Sequence, residues 1–348
     1  MNKRVFGIMT DTRMDFSRFQ KFVPIALNEG FSEVVLFTPN DVDLKKQRVL
    51  GYVNRGQSWK KESCPFPSIS HDVGYYTSQA ALQRVKRVKA HPKLPFLGYG
   101  LGNKWTIQQQ LSKFPSLLPH LLPTILLSSS SSVLDMLKKH RSVMLKPVNG
   151  KGGRGIIRLT LQGDGSIVEE TGNQAKNYRS SNWKLPSQVK KGRYLVQKWI
   201  DIRDRKGTVY DIRVLMQKDG SGKWTLTGMG VRQGSQGKIT SNLSGGGHAF
   251  PVYPFLKEQF SAQAANQLER KIREISYAIP DYLEKAYNKR LVDLGLDIAV
   301  DRDMKVWIIE VNIKPGKTLY KKISDFEADR MSLVNPIKYA RYLLDQKK

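Results

Sequence analysis

Val143-Met144-Leu145-Lys146-Pro147 runs into Asn149-Gly150-Lys151-Gly152-Gly153-Arg154-Gly155-Ile156, and the reading of this stretch decides the fold. A short apolar strand delivers one lysine, and four glycines and two further cations follow within six residues. Glycine lets backbone amides approach a ligand closely, and successive N–H groups form an anion-binding concavity. No Lys-Ser/Thr opens a helix behind the glycines, so this is not a P-loop. The run points into a second apolar strand, Gly155 to Leu161, so the dinucleotide fingerprint fails as well. Strand, glycine-rich connection and strand predict a hairpin flap over phosphates. Lys146, Lys151 and Arg154 would supply charge, and Gly152 and Gly153 the close approach. The competing reading is an ordinary glycine-rich turn.

A second polar concentration lies near the other end of the chain, in Leu296 to Val300 and Lys305 to Val311, joined by Asp301-Arg302-Asp303-Met304. A symmetric hairpin there would set Val300 against Lys305 and Asp297 against Ile308. Strand alternation then puts Glu310 and Asn312 on one face. Two carboxylates and an amide oxygen amid Ile, Val and Trp suit Mg²⁺, with Mn²⁺ as an alternative, because hard cations take oxygen ligands and leave room for phosphate. In Tyr210-Asp211-Ile212-Arg213-Val214 the charged residues share one face, and Arg232 ends the next strand. Arginine fits phosphate oxygens and the charge that develops in phosphoryl transfer. Ser241-Asn242-Leu243-Ser244 and three glycines add donors on a second loop.

Composition bounds the rest. The 348 residues are 40% hydrophobic, enough for a large core and two or three subdomains. No apolar run approaches the ~20 residues a membrane helix needs, and the basic N-terminus is too short in its apolar part for a secretory leader; synthesis in the cytoplasm is expected. The single cysteine, Cys64, reads as an ordinary loop thiol. A net charge of +28 attracts polyanions without specifying a fold. Leu82 to Lys89 reads as a helix with one solvated basic face, and no exposed aromatics interleave the cations, so a nucleic-acid partner is not expected. The five histidines show no ligand spacing; His248, beside the glycine triplet, is the one candidate for substrate contact.

Strands at Val5 to Met9 and Glu33 to Phe37 flank a helix over Arg18 to Asn28, a β-α-β opening that predicts a small α/β domain over residues 1–100. Pro95 to Gly98 reads as a further strand and Lys104 to Ser112 as a helix capped by Asn103. Two more segments are expected, residues 101–192 with the flap and 193–348 with the metal site, the last rich in strands around a helix at Gln259 to Asn288.

Taken together, Lys146 with its glycine hairpin, Val196-Gln197-Lys198-Trp199-Ile200, Asp211-Ile212-Arg213, Arg232, Asn242-Leu243-Ser244-Gly245-Gly246 and Glu310-Val311-Asn312 resemble the ATP-grasp superfamily. The chain as a whole, including Leu-Pro-Thr at 122–124, is most similar to the YheC/YheD endospore-coat-associated family, with motifs like those of ribosomal-protein glutamate ligases. The resemblance implies an α/β chain, α+β in its C-terminal part, with an ATP-grasp fold behind a Rossmann-like N-terminal domain. It implies that Lys104 and Lys146 hold ATP phosphates, and that the hinge Gln197, Lys198, Trp199 and Ile200 meets adenine. Asp201 or Asp204 would reach the ribose. Asp297, Glu310 and Asn312 would ligate magnesium, and Arg232, Arg213 and Asn242 would serve the reacting phosphoryl group. Two departures stand out: Lys198 occupies a hinge position where many ligases carry Glu, and Ile313-Lys314-Pro315-Gly316 replaces a serine-rich turn, so that Lys314 would meet an acidic substrate. The implied activity joins an amino acid to an acidic peptide or polymer through an acylphosphate. The alternatives are a nucleotide-binding structural protein of the spore coat, acting with coat proteins, and a nucleic-acid binder suggested by charge alone.

Overall fold

The structure is a computed structural model that describes residues 3–11, 15–56, 58–150, 153–172, 174–237, 241 and 246–346. Three sheets follow one another along the chain. The first contains β1 (Val5–Met9), β2 (Glu33–Phe37), β3 (Val42–Asp43), β4 (Arg48–Asn54), β5 (Lys60–Pro65) and β6 (Ile69–Asp72), in the order β3-β4-β2-β1-β6 with β5 along β4. Strand β1 pairs in parallel with both β2 and β6, so the chain reverses direction across the sheet between β1 and β6. Both central strands are apolar because helices cover both faces: β2 is buried throughout.

One helix expected over Arg18 to Asn28 is in fact two, α1 (Phe16–Gln20) and α2 (Phe22–Asn28). Pro24 explains the break: it has no N–H to offer the Gln20 carbonyl, and its ring crowds that oxygen. The basic segment is α3 (Gln79–Lys89), which buries Val85 and Val88. Lys86 and Arg87 are exposed, but Arg84 bonds the Pro39 carbonyl and Lys89 binds Asp72, so the expected solvated basic face holds for only half of its cations. Pro95 to Gly98 forms only a bridge from Phe96 to Ser70. Cys64 lies on β5, not in a loop; its Sγ meets the Val49 carbonyl at 3.5 Å, and burial pushes the thiol up.

Helix α4 (Lys104–Leu111), capped by Asn103 as expected, leads to the second sheet. That sheet contains β7 (Thr124–Leu126), β8 (Ser142–Pro147), β9 (Ile157–Leu161), β10 (Ser166–Thr171), β11 (Gln174–Arg179) and β12 (Tyr194–Lys198), ordered β11-β10-β9-β8-β12-β7. Strands β8 and β9 are the predicted hairpin, with Leu145 opposite Ile157. Helix α5 (Ser130–His140) begins directly after the Ser129 cap and covers one face, giving this sheet a core of its own from Leu127 to Val196.

The third sheet contains β13 (Tyr210–Lys218), β14 (Trp224–Gln233), β15 (His248–Phe250), β16 (Asp293–Val300) and β17 (Val306–Asn312), ordered β15-β14-β13-β16-β17. Helices α6 (Val252–Gln259) and α7 (Ala262–Tyr287) pack on the face carrying Ile212, Val214, Leu296 and Ile298. On the opposite face lie α8 (Thr318–Lys322) and α9 (Phe326–Asp345), where Gly228 and Gly230 leave room for Tyr320 and Leu319. Helix α9 also shares a core with the first sheet, through Ile337, Tyr339 and Ala340.

The last hairpin corrects the expected register. Met304 takes a left-handed conformation (φ 61°), so the loop is three residues long and Asp301 faces Lys305. A β-bulge at Ile309 then adds a second shift: Ile298 pairs with Ile308, and Asp297 with Glu310 instead of Ile308.

Candidate active site

Where the second sheet meets β17 and α4, a cavity of about 30 Å³ is walled by Ile107, Leu111, Leu195, Ile308, Ile309 and Val311. Its polar lining is Lys104, Gln108, Thr124, Lys146, Gln197 and Glu310. Alternation along β8 and β12 explains the choice: Val143, Leu145 and Val196 point into the core under α5, so Lys146, Leu195 and Gln197 take the other face. The Lys146 ammonium donates to the Gln197 side-chain oxygen, and the Gln197 amide donates to Thr124 Oγ1 at 3.0 Å. Removal from water pushes the Lys146 ammonium down to about 8; the Glu310 carboxylate works against this and Lys104 adds to it. Lys104, at the first turn of α4, holds Glu310 at 3.0 Å.

Beside the cavity, β13, β14 and β16 assemble a charged ladder. Asp211 pairs with Arg232, and Arg213 with Asp297, as direct cross-strand neighbours. Arg232 binds Asp211 with two hydrogen bonds of 2.6 Å and also reaches Asp297 at 3.1 Å. Arg213 donates to Asp297 at 2.6 Å, Asn312 to its other oxygen at 3.3 Å. Burial alone would raise the Asp297 carboxyl, but Arg213 and Arg232 outweigh it and hold it at about 2. For Asp211 burial wins, aided by repulsion from Asp297, and its carboxyl is raised despite Arg232 and a bond from Ser241. Among the described residues, the cavity and ladder together contain three carboxylates and four cations, a surplus of one positive charge suited to a magnesium–polyphosphate complex of net negative charge.

The donor set fits a hard divalent ion. Asp297 is an ionised carboxylate, Glu310 stands directly across from it, and the Asn312 amide keeps its oxygen as an acceptor. The bulge is what delivers Glu310 and Asn312 to this face, since Val306 and Ile308, of the same parity, are buried in the core on the other side.

The remaining sequence candidates fall as follows. Gly153 and Gly155, both at φ 73°, and exposed Arg154 stand in the hairpin connection. Lys151 and Gly152, and Asn242 on the second loop, lie outside the described residues. Trp199 stacks under the Arg158 guanidinium at 3.8 Å, Lys198 comes within 5.7 Å of the Trp307 ring, and Ile200 is buried beside Leu122. Asp201 is bound by Arg203 with two bonds of 2.7 Å and by Arg302 at 3.3 Å, and Asp204 accepts from backbone amides of its own turn. None of these hinge residues except Gln197 is in the cavity lining. Lys314 does not stand free: its ammonium binds Asp72 at 2.8 Å and the Gly74 carbonyl at 2.6 Å, at the carboxyl end of β6. His248 is exposed on the edge strand β15. Residues the sequence reading had not assigned include Thr124, Gln108 and the paired Ile308 and Ile309. A strict period-2 reading outward from Lys146 through β12 would have found the Gln197 side chain.

The fold is that of the ATP-grasp proteins. D-cycloserine synthetase DcsG superposes with a TM-score of 0.56 at 11% identity, covering 99% of this chain and all of that one. The chain belongs to the YheC/D-like ATP-grasp family, whose profile matches residues 93–343. The endospore coat-associated protein YheC of Bacillus subtilis strain 168 is 28% identical over 326 residues, covering 90% of this chain and 88% of that protein. YheD of the same strain is 26% identical over 343 residues, or 94% of this chain and 74% of that one.

Proposed function

We propose that this protein is an ATP- and magnesium-dependent carboxylate–amine ligase. The observation that carries the reading is the convergence of two lysines, Lys104 and Lys146, with Glu310 in one cavity that adjoins the Asp297–Arg213–Arg232 ladder. Lys104 and Lys146 bind phosphate oxygens, and the hairpin amides cover them. Asp297, Glu310 and Asn312 would hold magnesium, which when bound supplies charge neutralisation at the phosphates. Arg232 and Arg213, fixed by their carboxylates, orient and neutralise the transferring phosphoryl group.

In the reaction, a substrate carboxylate oxygen bonds to the γ-phosphorus and the bond to ADP breaks, giving an acylphosphate. The amine nitrogen then bonds to the acyl carbon, phosphate leaves, and the amine proton passes to solvent. Positioning and charge suffice, and no covalent enzyme nucleophile is called for, in keeping with a buried Cys64. The substrate class is an amino acid joined to an acidic peptide or polymer. Purified protein with ATP, magnesium and a panel of amino acids and acidic peptides should release ADP and phosphate, and Glu310→Gln should abolish the release. Absence of both products over the whole panel refutes the ligase.

The names of the two relatives favour a second reading, a nucleotide-binding structural protein associated with the spore coat. Tight ATP binding with no ADP formed in the same assay would select it.

A further inference from the structure

Positive charge is unevenly spread over the three sheets. Residues 124–198, the span of the second sheet, hold 14 Lys and Arg against four Asp and Glu, about a third of the chain's net +28 on about a fifth of its length. Among the described residues of this span there is a single ion pair, Arg158 with Glu170. Seven of these cations stand at the two ends of β8 and β12, and Lys176, Arg179 and Lys184 are exposed on and after β11. Lys138, Lys139 and Arg141 are exposed at the end where β8 begins. Arg154, Lys190, Lys191 and Arg193 are exposed at the other end, where β8 finishes and β12 starts.

This second group is built into one surface. The Lys190–Arg193 turn closes on itself through a 3.1 Å bond, and the Arg193 carbonyl accepts from Val148, at the base of the hairpin connection, at 3.0 Å. Gly155 lies against Pro147 and the Tyr194 hydroxyl, where an added Cβ would sit 3.1 and 3.2 Å away, which brings neighbouring Arg154 to the same tip. Tyr194 pairs with Pro147, and the next pair, Leu195 with Lys146, lines the cavity. Of these four exposed cations, none of which has an acidic partner among the described residues, Arg193 directly precedes Tyr194 and so stands a single residue pair from the candidate phosphate lysine.

We infer that this tip is the docking face for an acidic polypeptide, which delivers its reacting group to the cavity below. The inference rests on the ligase reading for that last step and names the macromolecular substrate of the same site. Peptide is favoured over nucleic acid on two grounds. No large apolar side chain among the described residues of this span is exposed, so the tip offers no platform on which bases could stack. A glutamate-rich chain also carries the carboxylates that a ligase activates, which a nucleic acid lacks.

The test uses full-length protein and a fluorescent 20-residue glutamate-rich peptide, read by anisotropy at 50 and 200 mM salt. The variant K190E/K191E/R193E should bind at least tenfold more weakly, with a flatter salt dependence. K138E/K139E/R141E, which changes net charge equally at the far end, should stay within threefold of the parent. Equal losses in both variants would reduce the effect to net charge and overturn the docking face. Tighter binding of an oligonucleotide of equal charge would overturn the choice of polypeptide. The milder K190Q/K191Q should show a smaller loss in the same direction, which separates charge from misfolding. Peptide bound at the tip without ADP release on any substrate would sink the ligase and leave the docking face standing. ADP release with free amino acids, together with no peptide binding by the parent, would do the reverse.

Discussion

The second and third sheets look onto the same cavity from opposite sides, yet they hold their charges in contrasting ways. On the third sheet each functional cation is matched within the sheet: Arg232 by Asp211, Arg213 by Asp297, all four on neighbouring strands. On the second, Lys146 has a neutral amide for a partner, and the cations at the sheet's tip have no ion-pair partner among the described residues. The first arrangement fixes side chains before any ligand arrives and costs no reorganisation on binding. The second leaves positive charge uncompensated, so it gains most from an incoming anion.

The largest effect should come from breaking the matched side. Asp297→Asn leaves the buried Arg213 guanidinium facing a neutral amide, while Arg232 keeps Asp211, and a loss of about 3–5 kcal/mol is expected in urea unfolding, as for a buried pair stripped of one partner. A loss below about 1 kcal/mol would show that the ladder is not pre-organised by its own charges. On the unmatched side, Lys146→Met removes an ammonium already disfavoured by burial, so stability at pH 7 should hold or rise while ATP affinity falls about a hundredfold by calorimetry, nearly 3 kcal/mol. The parent should likewise lose ATP affinity as pH rises through about 8, where the free protein's Lys146 gives up its proton. An affinity flat from pH 7 to 9.5 would remove Lys146 from the phosphate site.

Acid titration sharpens the contrast at an intermediate level. The folded Asp297 carboxyl lies at about 2, below the ordinary value of 3.8, so its ionisation contributes stability above about pH 4 that is lost as pH falls towards 2. The contribution is about 2 kcal/mol. Melting curves between pH 5 and 2 should therefore be steeper for the parent than for Asp297→Asn. The smallest effect belongs to the hairpin. Gly155→Ala places a Cβ at φ 73° and 3.2 Å from the Tyr194 hydroxyl, with an expected loss of about 1 kcal/mol in thermal melting.

The matched side was also the easier to read from the chain. Asp211 and Arg213 alternate with Ile212 and Val214, so their common face followed from period 2 alone, as did the β8–β9 hairpin from its glycines. The hairpin carrying Asp297 and Glu310 was found but misregistered. A left-handed Met304 and an extra residue at Ile309 are backbone events that leave little mark on composition. One trace was present: Val306, Ile308, Glu310 and Asn312 share a parity but switch from apolar to polar, which a regular half-buried strand would not do. The Pro24 break in the first helix was likewise visible as a residue and missed as a consequence. Least legible were the edge strand β11, whose mostly exposed side chains carry no periodic signal, and the fate of Lys314, which depends on a partner more than two hundred positions away.

The cavity of about 30 Å³ is far smaller than the ~300 Å³ or more that ligand pockets usually enclose. On the proposed function, a nucleotide held by Lys104 and Lys146 would need one wall to retreat. The first and third sheets are riveted together by α9 and by the Lys314 contact, but the second has a core sealed within its own span. It is the wall that can swing as a rigid body without tearing apolar packing, so admission of substrate and expulsion of product would both be set by the angle of that one sheet.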